Sequence, residues 1–210
     1  MRTKTLLLAA VALTAGLVTS SADPVYSQNV VGYVNQVIPP GFSMIANQLD
    51  TGTNTLANLF PSALPTGTTV YKFTGTGYSE ESVYIPGGWT DPTLTLNLGE
   101  GAFIYNSGTS PITNAFIGTV WQGTNNVTVP AGFSMQSYLV PIVGGLSTNF
   151  SYPAANGDQI YVWNTSGNTF VEYAYAAGWI PSEPIINVGQ AFFISRGAAT
   201  NWVVSFTVGQ

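Results

Sequence analysis

The sequence predicts an all-β protein of two tandem homologous modules, each a small β-sandwich or partly open barrel with one short helical turn. Three observations indicate this fold. Apolar and polar residues alternate over short segments separated by glycine-bearing turns, which is typical of strands. A glycine-rich bend that enters an apolar run occurs at 98–104 and again at 188–194. Charged residues are 6% of the chain, against about 25% in ordinary domains, so uncharged polar side chains must cover the surface.

Further segments recur in the same order at an offset of 90 or 91 residues, as expected for a tandem duplication. The matched pairs include Gly41 to Met44 with Gly132 to Met135, Leu56 with Leu146, Phe60 with Phe150, Tyr71 with Tyr161, Trp89 with Trp179, and Phe116 with Phe206. Because the offset is nearly constant, we predict module one over 23–121 and module two over 122–210.

The elements within each module follow from the turn and alternation patterns. Residues 70–73 and 160–163 each lead through a glycine-bearing loop into a further apolar segment, which predicts a β-hairpin in each module. Residues 42–46 are apolar on both faces, so this strand is predicted to be central in its sheet. A short helix is predicted at 55–60, with Asn54 as its N-cap and a proline preventing its continuation.

The first 22 residues predict a signal peptide. A basic head containing Arg2 and Lys4 precedes an apolar run shorter than the roughly 20 residues needed to span a bilayer, and small residues precede Asp23. We therefore expect a secreted protein, located in the periplasm, at the cell surface or outside the cell. Removal of residues 1–22 leaves two basic side chains against nine acidic ones, a net charge of −7.

This composition excludes several classes of function. An acidic chain offers no basic surface to phosphates or to anionic lipids, so we expect neither nucleic-acid binding nor membrane insertion after signal cleavage. Neutral glycans and further copies of the chain remain as partners. Neither cysteine nor histidine is present, which excludes thiolate nucleophiles, His-containing triads and His-based metal sites. No cofactor is expected, and no metal site is predicted, because the loop at 50–54 lacks the later glutamate of an EF-hand.

Carboxylate pairs are the remaining route to hydrolysis, since glycosidases use two such groups about 5–9.5 Å apart. The candidates in module one are Glu80, Glu81, Asp91 and Glu100, and the last becomes Gln190 in module two. Of these positions, that of Glu80 alone has an acidic counterpart, so neither module repeats a pair. We therefore predict no catalytic residue, and a carboxylate-dependent hydrolase is a distant alternative.

Aromatic side chains carry the remaining functional signal. Trp89 and Trp179 follow a glycine at matched positions, which predicts two buried core residues. Other aromatics are less constrained and are candidates for contact with a glycan or between modules: Trp121, Tyr78, Tyr84, Tyr138 and Tyr175. The junction around Trp121 has no linker, so we expect this side chain between closely packed modules. The alternative is an exposed Trp121 that stacks on a glycan.

The segments GFSMIANQL, VYKF, GGW and LGEGAFI, together with a degenerate second copy, also carry a resemblance. The chain resembles uncharacterised secreted two-module β-rich proteins of environmental Gram-negative bacteria. This resemblance implies export and a two-module fold, and it implies no site residues because the class has no established activity. We predict an exported, non-enzymatic structural or adhesive protein of the cell envelope or extracellular matrix. The alternative is a carbohydrate-binding module.

Overall fold

The computed structural model describes residues 30–78 and 80–208. The predicted signal peptide lies outside these residues. The described chain consists almost entirely of antiparallel sheets, which fall into two groups along the chain. This arrangement confirms the predicted all-β, two-module fold, and no sheet in the described residues closes into a barrel.

Module one contains one five-stranded sheet and a separate two-stranded ribbon. Its described elements are β1 (Val31–Ile38), β2 (Gly41–Ile45), α1 (Leu56–Leu59), β3 (Thr69–Lys72), β4 (Glu80–Ile85), β5 (Gly88–Trp89), β6 (Ala102–Asn106) and β7 (Ile112–Thr119). The sheet has the order β2-β6-β3-β4-β5, and β1 pairs with β7 in the ribbon. The β3–β4 pairing confirms the hairpin predicted after residues 70–73.

Module two repeats this topology. Its described elements are β8 (Gly123–Val129), β9 (Gly132–Ser137), β10 (Gly144–Gly145), β11 (Gln159–Asn164), β12 (Thr169–Tyr175), β13 (Trp179–Ile180), β14 (Ile185–Ile186), β15 (Ala191–Arg196) and β16 (Thr200–Phe206). The sheet has the order β9-β15-β11-β12-β13, and β8 pairs with β16. Strand for strand, this is the order found in module one. Module two also has a short antiparallel pair, β10 with β14.

The helical turns of the two modules differ. The predicted helix is present in module one as α1, but the residue before it is Thr55, which has no side-chain cap. Asn54 instead lies at a positive φ of 51°, so its predicted role as N-cap is wrong. In module two the chain forms a hydrogen-bonded turn rather than a helix. The N–H groups of Asn149 and Phe150 donate to the carbonyl of Gly145, and those of Ser147 and Thr148 donate to the carboxylate of Glu183.

Trp89 and Trp179 occupy matched positions in β5 and β13, but they are not equally buried. Trp89 is buried and packs edge-on against Phe60, with ring centroids 5.7 Å apart. Trp179 is half-buried, and its indole N–H donates to Ser147 Oγ at 3.0 Å. The prediction of two buried core residues is therefore correct for Trp89 and wrong for Trp179.

Trp202 fills the core of module two instead. Its side chain is fully buried, and its Nε1 donates to the carbonyl oxygen of Phe150 at 2.7 Å. In the two ribbons, Ile38 pairs with Ile112 and the matched Val129 pairs with Thr200. Matched residues of β7 and β16 are therefore 88 positions apart, and the counterpart of Trp202 is Asn114. The match of Phe116 with Phe206 is consequently wrong by two residues.

The two modules pack directly against each other, as the missing linker predicts. The amide of Ala46 donates to the carbonyl of Gly189, and at the matched positions the amide of Ser137 donates to the carbonyl of Gly99, both at 2.9 Å. This exchange of bonds is that of an approximate two-fold axis between the modules. A cluster of buried side chains fills the contact: Met44, Ala46, Phe103, Met135, Ala191 and Phe193.

The strand at 42–46 is an edge strand, not the central strand that its two apolar faces predict. One face, which includes Ile45, packs into the core of its own module. The opposite face, which includes Met44, packs against the other module. Both faces are apolar because the second module covers the face that an isolated sheet would leave in water.

Candidate functional site

An aromatic groove lies where the outer faces of the two five-stranded sheets meet. It comprises two clefts of about 430 and 510 Å³, and Tyr78 lines both. Aromatic side chains of both modules form the groove. We define the aromatic groove by Phe42, Tyr71, Phe73, Tyr78, Phe103, Phe133, Tyr161, Trp163, Phe170 and Phe193.

Strand alternation places these side chains on the groove. Successive residues of a strand point to opposite faces of the sheet. In β6, Ile104 belongs to the core of module one, so Phe103 faces the other module. In β15, Ile194 and Phe193 are divided in the same way. The residues that do not serve the module cores are therefore the ones that build the groove.

The two halves of the groove have closely similar ring geometry. Phe103 meets Trp163 of the other module edge to face, with centroids 5.3 Å apart at 90°. At the matched positions Phe193 meets Phe73 edge to face, 5.1 Å apart and also at 90°. Phe103 and Phe193 contact each other at 6.5 Å on the approximate two-fold axis. Trp163 of module two thus completes the first cleft, and Phe73 and Tyr78 of module one complete the second.

The floor and the walls of the groove differ in exposure. Phe103 and Phe193 form the floor and are buried. The walls are 39–46% exposed and consist of Phe42, Tyr78, Phe133 and Phe170. Edge-to-face packing is a favoured arrangement of aromatic pairs, and it fixes the rings without covering them. The groove therefore presents aromatic rings that are fixed in position and accessible to a ligand.

The lining of the groove is nearly uncharged. Glu81 lines the first cleft, and the described residues around the second cleft include no ionisable acid or base apart from tyrosines. Burial raises the pKa of Tyr78 to about 12. Burial, and then the carboxylate of Glu172, also raise the pKa of Tyr161. Both hydroxyls are therefore neutral at physiological pH and can donate and accept hydrogen bonds.

A polar notch of about 620 Å³ adjoins the second cleft and shares Phe73 and Phe133 with it. Lys72 Nζ pairs with Glu100 Oε2 at 2.9 Å on its wall. Among the described residues that line the notch, Lys72 is the one basic side chain, and its charge is paired with that of Glu100.

Of the aromatic residues predicted from the sequence as contact candidates, Tyr78 lies in the groove. The other four lie elsewhere. Tyr138 is buried, whereas Tyr84, Tyr175 and Trp121 are half-buried. Tyr138 belongs to the larger core cluster, and Tyr84 and Trp121 pack against it. Tyr175 contacts the half-buried Trp179 edge to face, with ring centroids 5.1 Å apart. These contacts within the protein explain the positions of the four residues without a ligand.

Most of the groove was not predicted from the sequence, although a signal for it is present. Phe42 and Phe133 are matched, as are Phe103 and Phe193, and each alternates with a core residue on its strand. An aromatic residue at matched positions on the face opposite the core indicates a shared second surface. The sequence interpretation assigned these positions to packing within one module.

Of the acidic candidates, Glu81 reaches the first cleft of the groove. Glu80, Glu81 and Asp91 together line a further pocket of about 470 Å³. Asp91 accepts hydrogen bonds from the side chain and backbone of Thr93, which lower its pKa. In the part of the chain that the structure describes, no three acidic side chains gather as a metal site.

No known protein family, curated protein or solved structure matches this chain. Among the described residues, no helix is long and apolar enough to cross a membrane. The inference of function therefore depends on the chemistry of the groove.

Proposed function

We propose that the protein is an exported, non-enzymatic adhesive protein of the cell envelope or extracellular matrix, and that it binds a neutral glycan in the aromatic groove. The observation that carries this proposal is the pair of clefts lined by matched aromatic side chains of both modules. Contiguous exposed apolar surface on a soluble protein commonly marks a ligand or partner site. The predicted signal peptide at 1–22 supports export.

A neutral glycan fits this lining better than a charged ligand. The C–H faces of sugar rings pack against aromatic rings, and sugar hydroxyls exchange hydrogen bonds with groups such as the Tyr78 and Tyr161 hydroxyls. The carboxylate of Glu81 can accept a hydrogen bond from a sugar in the first cleft. A nucleic acid would require basic side chains for its phosphates, and none of the residues that define the groove is basic.

The groove also gives a reason for two modules in one chain, which we propose arose by tandem duplication. An isolated module would expose side chains such as Phe103 and Met44, which the other module now covers, to water. Docking of the modules buries these side chains while leaving the walls open. Because Tyr78 lines both clefts, one extended ligand can contact both modules at once.

The two clefts support a binding function without catalysis. Acid–base hydrolysis of a glycan needs a pair of carboxylates beside the bound sugar. Glu81 contributes one carboxylate to the first cleft, and the second cleft has none among its described lining residues. The chemistry that both clefts share is aromatic contact, which favours binding.

Retention of the mature chain on insoluble neutral polysaccharides such as cellulose and chitin tests this proposal. We expect the wild-type protein to be retained, and the double variant Phe42→Ala/Phe133→Ala to be released. Ile185→Ala is the matched control, because Ile185 is exposed and lies outside the groove. Retention should persist as salt is raised to about 1 M, because a neutral glycan has no bound counterions that would be released on binding. Steep loss of retention with salt, or retention of the double variant, would contradict a neutral glycan in the groove.

A further inference from the structure

The outer face of the β1–β7 ribbon is exposed and largely apolar. Val31, Tyr33, Val37 and Ile117 are 56–69% exposed. Cross-strand pairing places Tyr33 directly opposite Ile117. We define the apolar ribbon face by Val31, Tyr33, Asn35, Val37, Thr113, Ala115, Ile117 and Thr119.

The corresponding face of module two is mostly polar, with Val203 as its exposed apolar side chain. The pair that matches Tyr33 and Ile117 there is Thr124 and Ser205, whose hydroxyl oxygens lie 3.1 Å apart in a hydrogen bond. Thr128 likewise occupies the position matched to Val37. The two ribbons have the same strand pairing, so the fold does not require apolar residues on the outer face. The apolar residues of module one therefore need another explanation.

The lack of charge on the apolar ribbon face favours an uncharged apolar partner. No residue of the apolar ribbon face is ionisable apart from the hydroxyl of Tyr33, whereas the predicted mature chain has a net charge of −7. A basic or acidic partner would bury its charges against this face without a counter-charge, which is costly. A second copy of the face brings apolar side chains and no charge to desolvate.

We propose that the apolar ribbon face binds the same face of a second copy of the chain, forming a two-fold symmetric homodimer. Two-fold contacts are self-complementary, so each exposed side chain enters the interface twice. An eight-residue ribbon is about 26 Å long. Two strands are about 10 Å wide, so the face covers on the order of 260 Å², below the roughly 800 Å² per partner of a standard interface. The dimer should consequently be weak and concentration-dependent, unlike the permanent contact between the modules.

Sedimentation velocity of the mature chain over a range of protein concentrations tests this inference. We expect the wild-type protein to shift from monomer to dimer as its concentration rises. The variant Tyr33→Thr/Ile117→Ser gives module one the residues of module two, and it should weaken the dimer at least about 10-fold. Val203→Thr changes an exposed side chain of the other ribbon and should leave the dimer unchanged.

Two results would overturn the inference. One is a wild-type protein that is monomeric at every concentration, and the other is a dimer that Tyr33→Thr/Ile117→Ser leaves intact. Loss of polysaccharide retention with no change of mass in this variant would instead show that the face contacts glycans. Thr124→Tyr/Ser205→Ile provides a positive test, because it should create a second apolar face and produce species larger than a dimer. The homodimer does not depend on the groove, so failure of either proposal leaves the other standing.

Discussion

The two ribbons resemble each other less closely than the two halves of the groove do. The ribbons share strand order and pairing, yet one outer face carries Tyr33 and Ile117 and the other carries Thr124 and Ser205. The groove halves share pairing and also side-chain type and ring geometry. A surface that tolerates either polarity within one fold is not fixed by packing. The matched aromatics are constrained more strongly, because the floor rings contact each other across the approximate two-fold axis.

The largest expected effect is on stability, in the core of module two, where the matched positions of the two modules also differ. Trp202 is fully buried and hydrogen-bonded, whereas Trp179 is half-buried. We expect Trp202→Ala to lower the free energy of unfolding by about 3–5 kcal/mol, because it leaves a large cavity. Trp179→Ala should cost no more than about 2 kcal/mol. Chemical denaturation followed by circular dichroism measures both losses. Equal losses would contradict the conclusion that Trp202, and not Trp179, fills the core of module two.

The contact between the modules should respond to a smaller change. A Cβ added to Gly101 would lie 2.5 Å from the Cβ of Ala191, its matched residue across the axis. We expect Gly101→Ala to cost about 1–3 kcal/mol through overpacking. Gly178→Ala is the control, since a Cβ there meets no atom within 4 Å.

Exchange of the two residues sharpens this test. In Gly101→Ala/Ala191→Gly the methyl group moves to the other side of the same contact, so much of the lost stability should return. Such coupling is the signature of residues in direct contact. Additive losses in the double variant, measured by thermal denaturation, would argue against the close approach of the modules.

The smallest effect is expected at Glu100. Its carboxylate accepts a hydrogen bond from the amide of Asn97, and the Gln190 side chain makes the same bond to Asn187 in module two. Glu100→Gln should therefore keep the turn and lose the ion pair with Lys72. Since the carboxylate is well exposed, the cost in denaturation experiments should be at most about 1 kcal/mol. Loss of a polysaccharide-hydrolysing activity in this variant would contradict the non-enzymatic proposal.

The sequence predicts the architecture well because repetition and alternation are local signals. Glycine-bearing loops after residues 70–73 and 160–163 mark the two hairpins, and both are present. The role of Trp179 could not be predicted in this way. The two-residue shift in β16 that brings Trp202 into the core becomes visible only in the pairing with β8.

The groove depends on tertiary contacts that the sequence does not display. The strand that carries Phe42 is apolar on both faces, which is the usual pattern of a central strand. In the folded chain it is an edge strand whose second face meets the other module. A strand buried within its own sheet and a strand buried by a neighbouring module have the same sequence pattern. The exposed wall of the groove therefore resembled core in the sequence.

Calorimetric titration with a soluble neutral oligosaccharide tests most directly whether both modules build one binding surface. Phe42 and Phe133 are matched wall residues with similar exposure, so Phe42→Ala and Phe133→Ala should each lower the affinity about 10-fold, or about 1.4 kcal/mol. Ile185→Ala should bind as the wild-type protein does. Wild-type affinity in either wall variant would contradict a groove shared by the two modules.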